Sequence, residues 1–170
     1  MNPTIQSAIN KQINEELFSA YLYLAIASYA GSKGFPGLQN WMTVQAQEEI
    51  DHAMGFQIHL LRRGGEGERD AIEKPAKEFG SPLDMVKAGL EHEKHISGCI
   101  NDLFDLAQKE KDFAFQSFLT WYIDEQVEEE EGAQELIDKM TILGDNGPGV
   151  LALDKELAAR AYKPSSILIQ

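Results

Sequence analysis

Six side chains that can coordinate a metal ion recur at matched positions in the two halves of the chain. They are Glu16, Glu49, His52, Glu93, Gln126 and Glu129. Each half has a lone glutamate, then a step of 33 residues, then a pair of residues at positions i and i+3. Because residues three apart lie on one face of a helix, each pair can hold a common ion. The spacing therefore predicts two similar helical hairpins that bring their ligands together.

The segments that carry these residues have apolar stripes at alternating steps of three and four residues, which is the spacing of a bundle-facing seam. The acidic residues interrupt all four stripes at one middle level, and no Lys or Arg lies on the stripes. Buried carboxylates lose several kcal/mol of solvation, and neighbouring carboxylates repel each other. A pair of divalent cations would neutralise them, and an oxygen-rich shell with one His favours iron or manganese. The alternative is that these glutamates face solvent.

Turn and capping signals divide the chain into four long helices and a short fifth one. The predicted helices span about 3–30, 36–63, 82–109, 112–143 and 150–160, with a tail at 161–170, in a single domain over 1–170. The link at 64–80 is long enough to cross the length of a bundle, whereas the other links are short and favour neighbouring helices. The predicted fold is therefore an all-α four-helix bundle with one long crossover and a short fifth C-terminal helix.

Composition excludes several classes of protein. The 170 residues include 28 acidic and 15 basic ones, for a net charge of −13, which argues against a nucleic-acid-binding surface. No stretch approaches the roughly 20 apolar residues that span a bilayer, and no secretory signal pattern is visible at Met1. Cys99 is the only cysteine, which rules out an internal disulfide and fits a reducing cytoplasm. We therefore expect a cytoplasmic protein without membrane or nucleic-acid partners.

Five segments together resemble the prokaryotic non-haem ferritins, and the resemblance covers about 3 to 160. The segments are NEELFSAYLY at 14–23, QEEIDH at 47–52, EHE at 91–93, WYIDEQVEEE at 121–130 and LDKEL at 153–157. Single glutamates on two helices and Glu-x-x-His pairs on two others are the ligand pattern of ferritin-like di-iron proteins. This chain departs from that pattern in the second half, where Gln126-x-x-Glu129 replaces Glu-x-x-His.

The resemblance implies a ferritin-like bundle with an intrasubunit ferroxidase centre that holds two iron ions. The first ion would be held by Glu16, Glu49 and His52, with Gln126 nearby. The second ion would be held by Glu49, Glu93 and Glu129, so that Glu49 bridges the pair. The resemblance places Tyr23 beside the centre, as a hydrogen-bond partner or a source of an electron.

A third iron site on the inner surface is also implied by the resemblance. Its residues would be Glu48, Glu125 and Glu128, with Glu129 shared between the sites. The alternative is that these acidic residues form a solvated surface. Haem is not expected, because the haem-binding relatives place a Met where this chain has Ile50 and a His where it has Glu129.

The function that the resemblance implies is iron storage and detoxification. Fe(II) would be oxidised by dioxygen or hydrogen peroxide, and the ferric product would be stored inside a hollow homo-oligomeric cage of 24 subunits. Three alternatives remain open at this point: a di-iron oxidase or peroxidase of the rubrerythrin type, a DNA-protecting mini-ferritin, and a metal-free interaction bundle. A single cysteine argues against the first, because such enzymes usually carry a Cys-rich iron module.

Overall fold

The structure is a computed structural model and describes residues 1–169. Its elements are α1 (Pro3–Ser32), α2 (Pro36–Arg62), α3 (Pro82–Lys109), α4 (Phe113–Leu143), α5 (Gly147–Leu157) and a 3-10 turn, η1 (Ser166–Ile169). No strand occurs within residues 1–169, so the predicted all-α class is confirmed. No helix in this part of the chain combines the length and apolar character that crossing a membrane requires.

Local sequence signals explain where most helices begin. The Asn2 side chain accepts a hydrogen bond from the Thr4 amide at the start of α1. Ser81 and Asp84 form a capping box at the start of α3. Asp112 accepts from the Phe115 amide at the start of α4. These caps satisfy backbone N–H groups that have no partner within the helix.

The fifth helix lies earlier in the chain than the sequence predicts. It begins at Gly147 rather than near 150, because Asn146 caps it and Pro148 fits its first turn. It ends at Leu157 rather than near 160, and Arg160 beyond it extends over the ring of Trp41, 4.7 Å from the centroid. The predicted tail at 161–170 contains the short turn η1, whereas Gln170 lies outside the described residues.

The long helices form two hairpins. α1 packs along α2, α3 packs along α4, and α1 also contacts α3. The crossover between the hairpins follows α1, where the Asn10 amide donates to the Glu66 carbonyl at 2.8 Å and the Glu68 amide donates to Asn10 at 2.9 Å. α5 and η1 both pack on α2. The sequence-predicted long crossover therefore connects α2 to α3, as expected for this bundle topology.

Two apolar clusters fill the bundle on either side of a polar layer. One cluster includes Tyr23, Met42 and Leu136, and extends to α5. The other includes Ile9, Phe56 and residues of α3, α4 and η1. Along each of the four long helices, the predicted metal ligands lie between residues of one cluster and residues of the other. Burial of the two clusters thus forces the intervening polar side chains into the interior.

Candidate metal centre

The acidic residues of the polar layer face the interior of the bundle. Glu16, Glu49, His52 and Glu93 are each about 1% exposed. Gln126 is also buried, and Glu129 is partly buried. The solvent-facing alternative is therefore wrong for the three fully buried glutamates.

The first hairpin supplies a compact set of donors. Glu16, Glu49 and His52 each offer one ligand atom, and these atoms lie within 4.8 Å of one another. His52 Nδ1 lies 3.4 Å from Glu49 Oε2, and the Gln12 amide donates to Glu16 Oε1 at 2.9 Å. Three further atoms are buried without a hydrogen-bond partner: Glu16 Oε2, Glu49 Oε1 and His52 Nε2. Buried polar atoms are normally paired, so this group fits a bound cation.

The electrostatics of the first hairpin also favour a cation. Burial, followed by the charge of Glu49, raises the pKa of Glu16 from 4.5 to about 8. Burial and the charges of Glu93 and Glu129 raise the pKa of Glu49 well above its ordinary value. Without a metal, the site therefore holds protons near neutral pH. A divalent cation would displace these protons and remove the repulsion.

Glu93 of the second hairpin accepts hydrogen bonds from donors of both hairpins. The Tyr23 hydroxyl donates to Glu93 Oε1, and the Gln126 amide donates to Glu93 Oε2 at 3.2 Å and to its carbonyl at 3.1 Å. Burial, followed by the charge of Glu129, raises the pKa of Glu93 to about 7. Tyr23 and Gln126 thus both contact Glu93, and the place of Gln126 near the first ion stays a prediction.

Glu129 is oriented towards a different set of donors. Its Oε2 accepts from the Gln45 amide at 2.7 Å, and its carboxylate forms a second group of possible ligands with His52 and Glu125. The predicted second triad of Glu49, Glu93 and Glu129 does not form such a group, since other side chains hold Glu93 and Glu129. The role of this triad in holding the second iron stays a prediction.

The predicted third-site residues border one cavity of about 540 Å³ on the α2 and α4 side of the bundle. Glu125 Oε1 lies 3.9 Å from His52 Nε2, so this residue connects the cavity with the buried donors. Glu48 is paired with Arg160 at 2.6 Å, and Glu128 is exposed. The structure therefore brings Glu125 to the centre and keeps Glu48 in an ion pair.

Four residues that the sequence analysis did not assign to the site contact its ligands. They are Gln12, Gln45, Ser97 and Arg160. Gln12 lies four positions before Glu16, which accepts its hydrogen bond, so the i, i+4 rule could have indicated it. Gln45 lies four positions before Glu49 but donates to Glu129 on α4, and the rule does not indicate that contact. Arg160 could not have been found in this way, because its contact depends on how the chain folds back after α5. Tyr122 adds a further support, since its hydroxyl donates to the His52 carbonyl at 2.8 Å.

Comparisons with known proteins identify relatives of this chain. A family profile described as a ferritin-like domain matches residues 6–143. A bacterial non-heme ferritin of Bacteroides fragilis is 40% identical over 156 residues, which cover 92% of this chain and 97% of that protein. A bacterial non-heme ferritin of Staphylococcus epidermidis is 36% identical over 162 residues, which cover 95% of this chain and 98% of that protein.

Solved structures give the same result. A ferritin of Archaeoglobus fulgidus engineered to a closed form superposes with a TM-score of 0.95 at 43% identity, and the match covers 96% of this chain and 99% of that one. The open-pore ferritin of the same archaeon superposes with a TM-score of 0.94 at 43% identity, over 95% of this chain and 99% of that one. The chain therefore belongs to the ferritin family.

Proposed function

We propose that this protein stores iron by oxidising Fe(II) at the buried centre and collecting the ferric product inside a cage of identical subunits. The single observation that carries the proposal is the group of unpartnered ligand atoms on Glu16, Glu49 and His52. Relatives named bacterial non-heme ferritins support iron as the cargo. The 24-subunit cage and the cytoplasmic location are part of this proposal and follow from the family resemblance.

Iron binding begins with proton release in this proposal. Fe(II) binds to the Glu16, Glu49 and His52 group, and a second Fe(II) binds between Glu49, Glu93 and Glu129 after small side-chain movements. The two ions lie roughly 3.5–4 Å apart, as in other two-metal sites. Each Fe(II) gives one electron, and the two electrons reduce one dioxygen with two protons to one hydrogen peroxide. Hydrogen peroxide can replace dioxygen as the oxidant, and it then yields water.

Tyr23 positions the second half of the centre. Its hydroxyl donates to Glu93, and burial raises its pKa well above the ordinary value of 10.0, so the phenol stays protonated. In this proposal the hydrogen bond fixes the direction of the Glu93 carboxylate towards the second ion. A Tyr23→Phe variant separates this role from electron donation. Electron donation predicts a tyrosine radical signal in the parent that is lost in the variant, whereas a positioning role predicts slower oxidation in the variant and no such signal in the parent.

The ferric product leaves through the cavity beside Glu125 in this proposal. Glu125 and Glu129 connect the buried donors with the cavity, and Glu128 extends the acidic surface. Gln126 is a neutral side chain at a position where related proteins can have a carboxylate, so it leaves less negative charge to retain Fe(III). The third site at Glu48, Glu125 and Glu128 then serves as a step between the centre and the stored mineral.

The decisive experiment is a Glu49→Ala substitution. Loss of the bridging carboxylate should abolish rapid Fe(II) oxidation in air while the assembled particle keeps its size. Stopped-flow absorbance measures oxidation, and size-exclusion chromatography measures assembly. Glu91→Ala, at an exposed position of α3, is the matched control and should oxidise iron at the parent rate. Oxidation by Glu49→Ala at the parent rate contradicts the proposal.

A di-iron enzyme that does not store iron is the competing function. Aerobic loading distinguishes the two, because storage retains many more ions than the two per subunit that an enzyme holds. Iron retained after gel filtration is the measurement. Retention of only the paired ions would favour the enzyme.

A further inference from the structure

A second group of metal-ligating side chains lies at the surface between α1 and α3, outside the buried centre. It consists of Glu15 on α1 and of His95 and Cys99 on α3, and their ligand atoms lie within 4.8 Å of one another. His95 Nε2 lies 3.1 Å from Glu15 Oε2 and 3.6 Å from Cys99 Sγ. Glu15 and Cys99 are partly buried, and His95 is exposed. The site therefore opens to solvent on one side.

The distances match those of a tetrahedral zinc site. Zinc binds sulfur at about 2.3 Å, and it binds imidazole nitrogen and carboxylate oxygen at about 2.0–2.2 Å. Tetrahedral angles then place nitrogen and sulfur about 3.6 Å apart and nitrogen and oxygen about 3.3 Å apart. The observed 3.6 Å and 3.1 Å are hydrogen-bond distances from His95 to Cys99 and Glu15, and they are also close to these separations, so a cation can replace the shared protons with little movement. His95 and Cys99 are one helical turn apart, so they face the same side of α3.

We propose that Glu15, His95 and Cys99 bind one borderline-soft divalent cation of the Zn²⁺ type, with water in the fourth position. A thiolate and an imidazole select such a cation over the hard cations that carboxylates prefer. The buried centre differs because all its ligands are oxygen atoms apart from His52. This site is independent of the proposed iron chemistry, since the two sets share no side chain.

A reactive thiol is the other role that Cys99 could have. Burial, followed by the charge of Glu15, raises the pKa of Cys99 to about 11, which disfavours nucleophilic chemistry by the free thiol. The neighbouring charges are therefore unsuitable for a free thiolate. A bound cation supplies the positive charge that stabilises a thiolate beside a carboxylate.

The site joins two helices of different hairpins. Glu15 directly precedes the buried ligand Glu16 on α1, and His95 follows the buried ligand Glu93 by two residues on α3. A cation that binds both helices at this level would therefore reduce their relative movement beside the buried centre. We expect Zn²⁺ to raise the unfolding temperature of the parent and to have a smaller effect on Cys99→Ser.

Cobalt(II) is the probe that tests the site in the iron-free, assembled protein under a thiol-free reductant. Sulfur ligation to Co²⁺ produces a charge-transfer band in the near ultraviolet. Because Cys99 is the only cysteine in the chain, this band cannot arise from the buried carboxylates. We expect the intensity of the band to reach that of one sulfur-ligated Co²⁺ per chain, whatever further Co²⁺ the buried centre binds, and we expect the band to disappear when Zn²⁺ is added.

Three variants distinguish the ligands. Cys99→Ser should eliminate the band, and Glu15→Gln should weaken Co²⁺ binding by on the order of 10–100-fold. Glu91→Gln removes one exposed carboxylate from α3 and should change neither quantity. The proposal is wrong if the parent shows no band at saturating Co²⁺, or if Glu15→Gln binds Co²⁺ with parent affinity. Cys99→Ser should still oxidise iron at the parent rate, so a failure here is separate from a failure of the iron-storage proposal.

Discussion

The two hairpins separate their ligands by the same 33 residues but surround them with different chemistry. In the first hairpin, ligand atoms of Glu16, Glu49 and His52 are buried without partners. The glutamates of the second hairpin have donors: Tyr23 of α1 and Gln126 of α4 donate to Glu93, and Gln45 of α2 donates to Glu129. The first hairpin therefore carries the larger electrostatic cost when it is empty.

This difference suggests different tasks for the two halves. A site with unpaired, fully buried donors gains the most when a cation enters. A site whose carboxylates already accept hydrogen bonds gains less, and Glu129 also borders the cavity. We infer that the first hairpin binds iron more tightly and that the second exchanges it more easily. Substitutions in the two hairpins test that asymmetry.

Neutralising one glutamate in each hairpin gives the sharpest test. Glu16→Gln should weaken Fe(II) binding at the first position by at least about 10–100-fold, because a direct ligand is lost. Glu93→Gln should retain one tightly bound Fe(II) per chain but oxidise it slowly, because the second ion is missing. Anaerobic Fe(II) titration measures both, with Glu91→Gln as the control. Equal losses in the two variants would remove the asymmetry.

The same Glu16→Gln change should stabilise the metal-free protein. Glu16 holds its proton to about pH 8 in the folded protein but loses it near 4.5 when exposed. The unfolded chain therefore binds fewer protons between these pH values, and the free energy of unfolding falls as pH rises through that window. At pH 8 the side-chain amide of the variant should raise the free energy of unfolding by roughly 2–4 kcal/mol. It should also flatten the dependence of that free energy on pH.

Thermal unfolding of iron-free protein at pH 5 and pH 8 measures this effect. The difference between parent and Glu16→Gln should be small at pH 5 and large at pH 8. Added metal should restore the thermal stability of the parent at pH 8 and should raise that of the variant much less. A variant that is less stable than the parent at pH 8 contradicts the electrostatic account of the first hairpin.

Replacing the neutral residue of the second hairpin should slow product release. Gln126→Glu adds a carboxylate beside Glu93, so Fe(III) should remain at the centre for longer, by several-fold, while the first turnover stays fast. Sequential additions of Fe(II) measure this, because slow release lowers the rate of the second addition. If the second addition is as fast as in the parent, the amide does not assist release.

The burial of the main ligands was predictable from helical periodicity alone. Glu16, Glu49 and Glu93 share their faces with apolar residues three and four positions away, and the apolar clusters fix the orientation of those faces. Gln12 was predictable in principle, because it lies one turn from Glu16. The directions of the Glu93 and Glu129 carboxylates were not predictable, because they depend on donors from other helices.

Contacts made by the end of the chain were also beyond sequence reasoning. Asp154 on α5 accepts hydrogen bonds from the Gly37 and Leu38 amides at 3.0 and 2.9 Å, and so caps α2 from 116 or more residues away. A Cβ on Gly37 would overlap the Asp154 carbonyl, so this close approach requires glycine. Nothing local in α2 indicates this cap, because Phe35 and Pro36 offer no side-chain acceptor.

The smallest predicted effect concerns Arg160, which comes from the same end of the chain. Its guanidinium pairs with Glu48 at 2.6 Å and would therefore compete with a cation at the proposed third site. Arg160→Gln should strengthen the third, weakest Fe(II) binding step by about 2–5-fold, because losing a partly exposed ion pair changes an affinity by about that much. Lys155→Gln removes one exposed charge from α5 and should leave this step unchanged. Weaker binding in Arg160→Gln would instead mean that the arginine holds Glu48 in position for iron, and the cavity between α2 and α4 would then be preorganised rather than blocked.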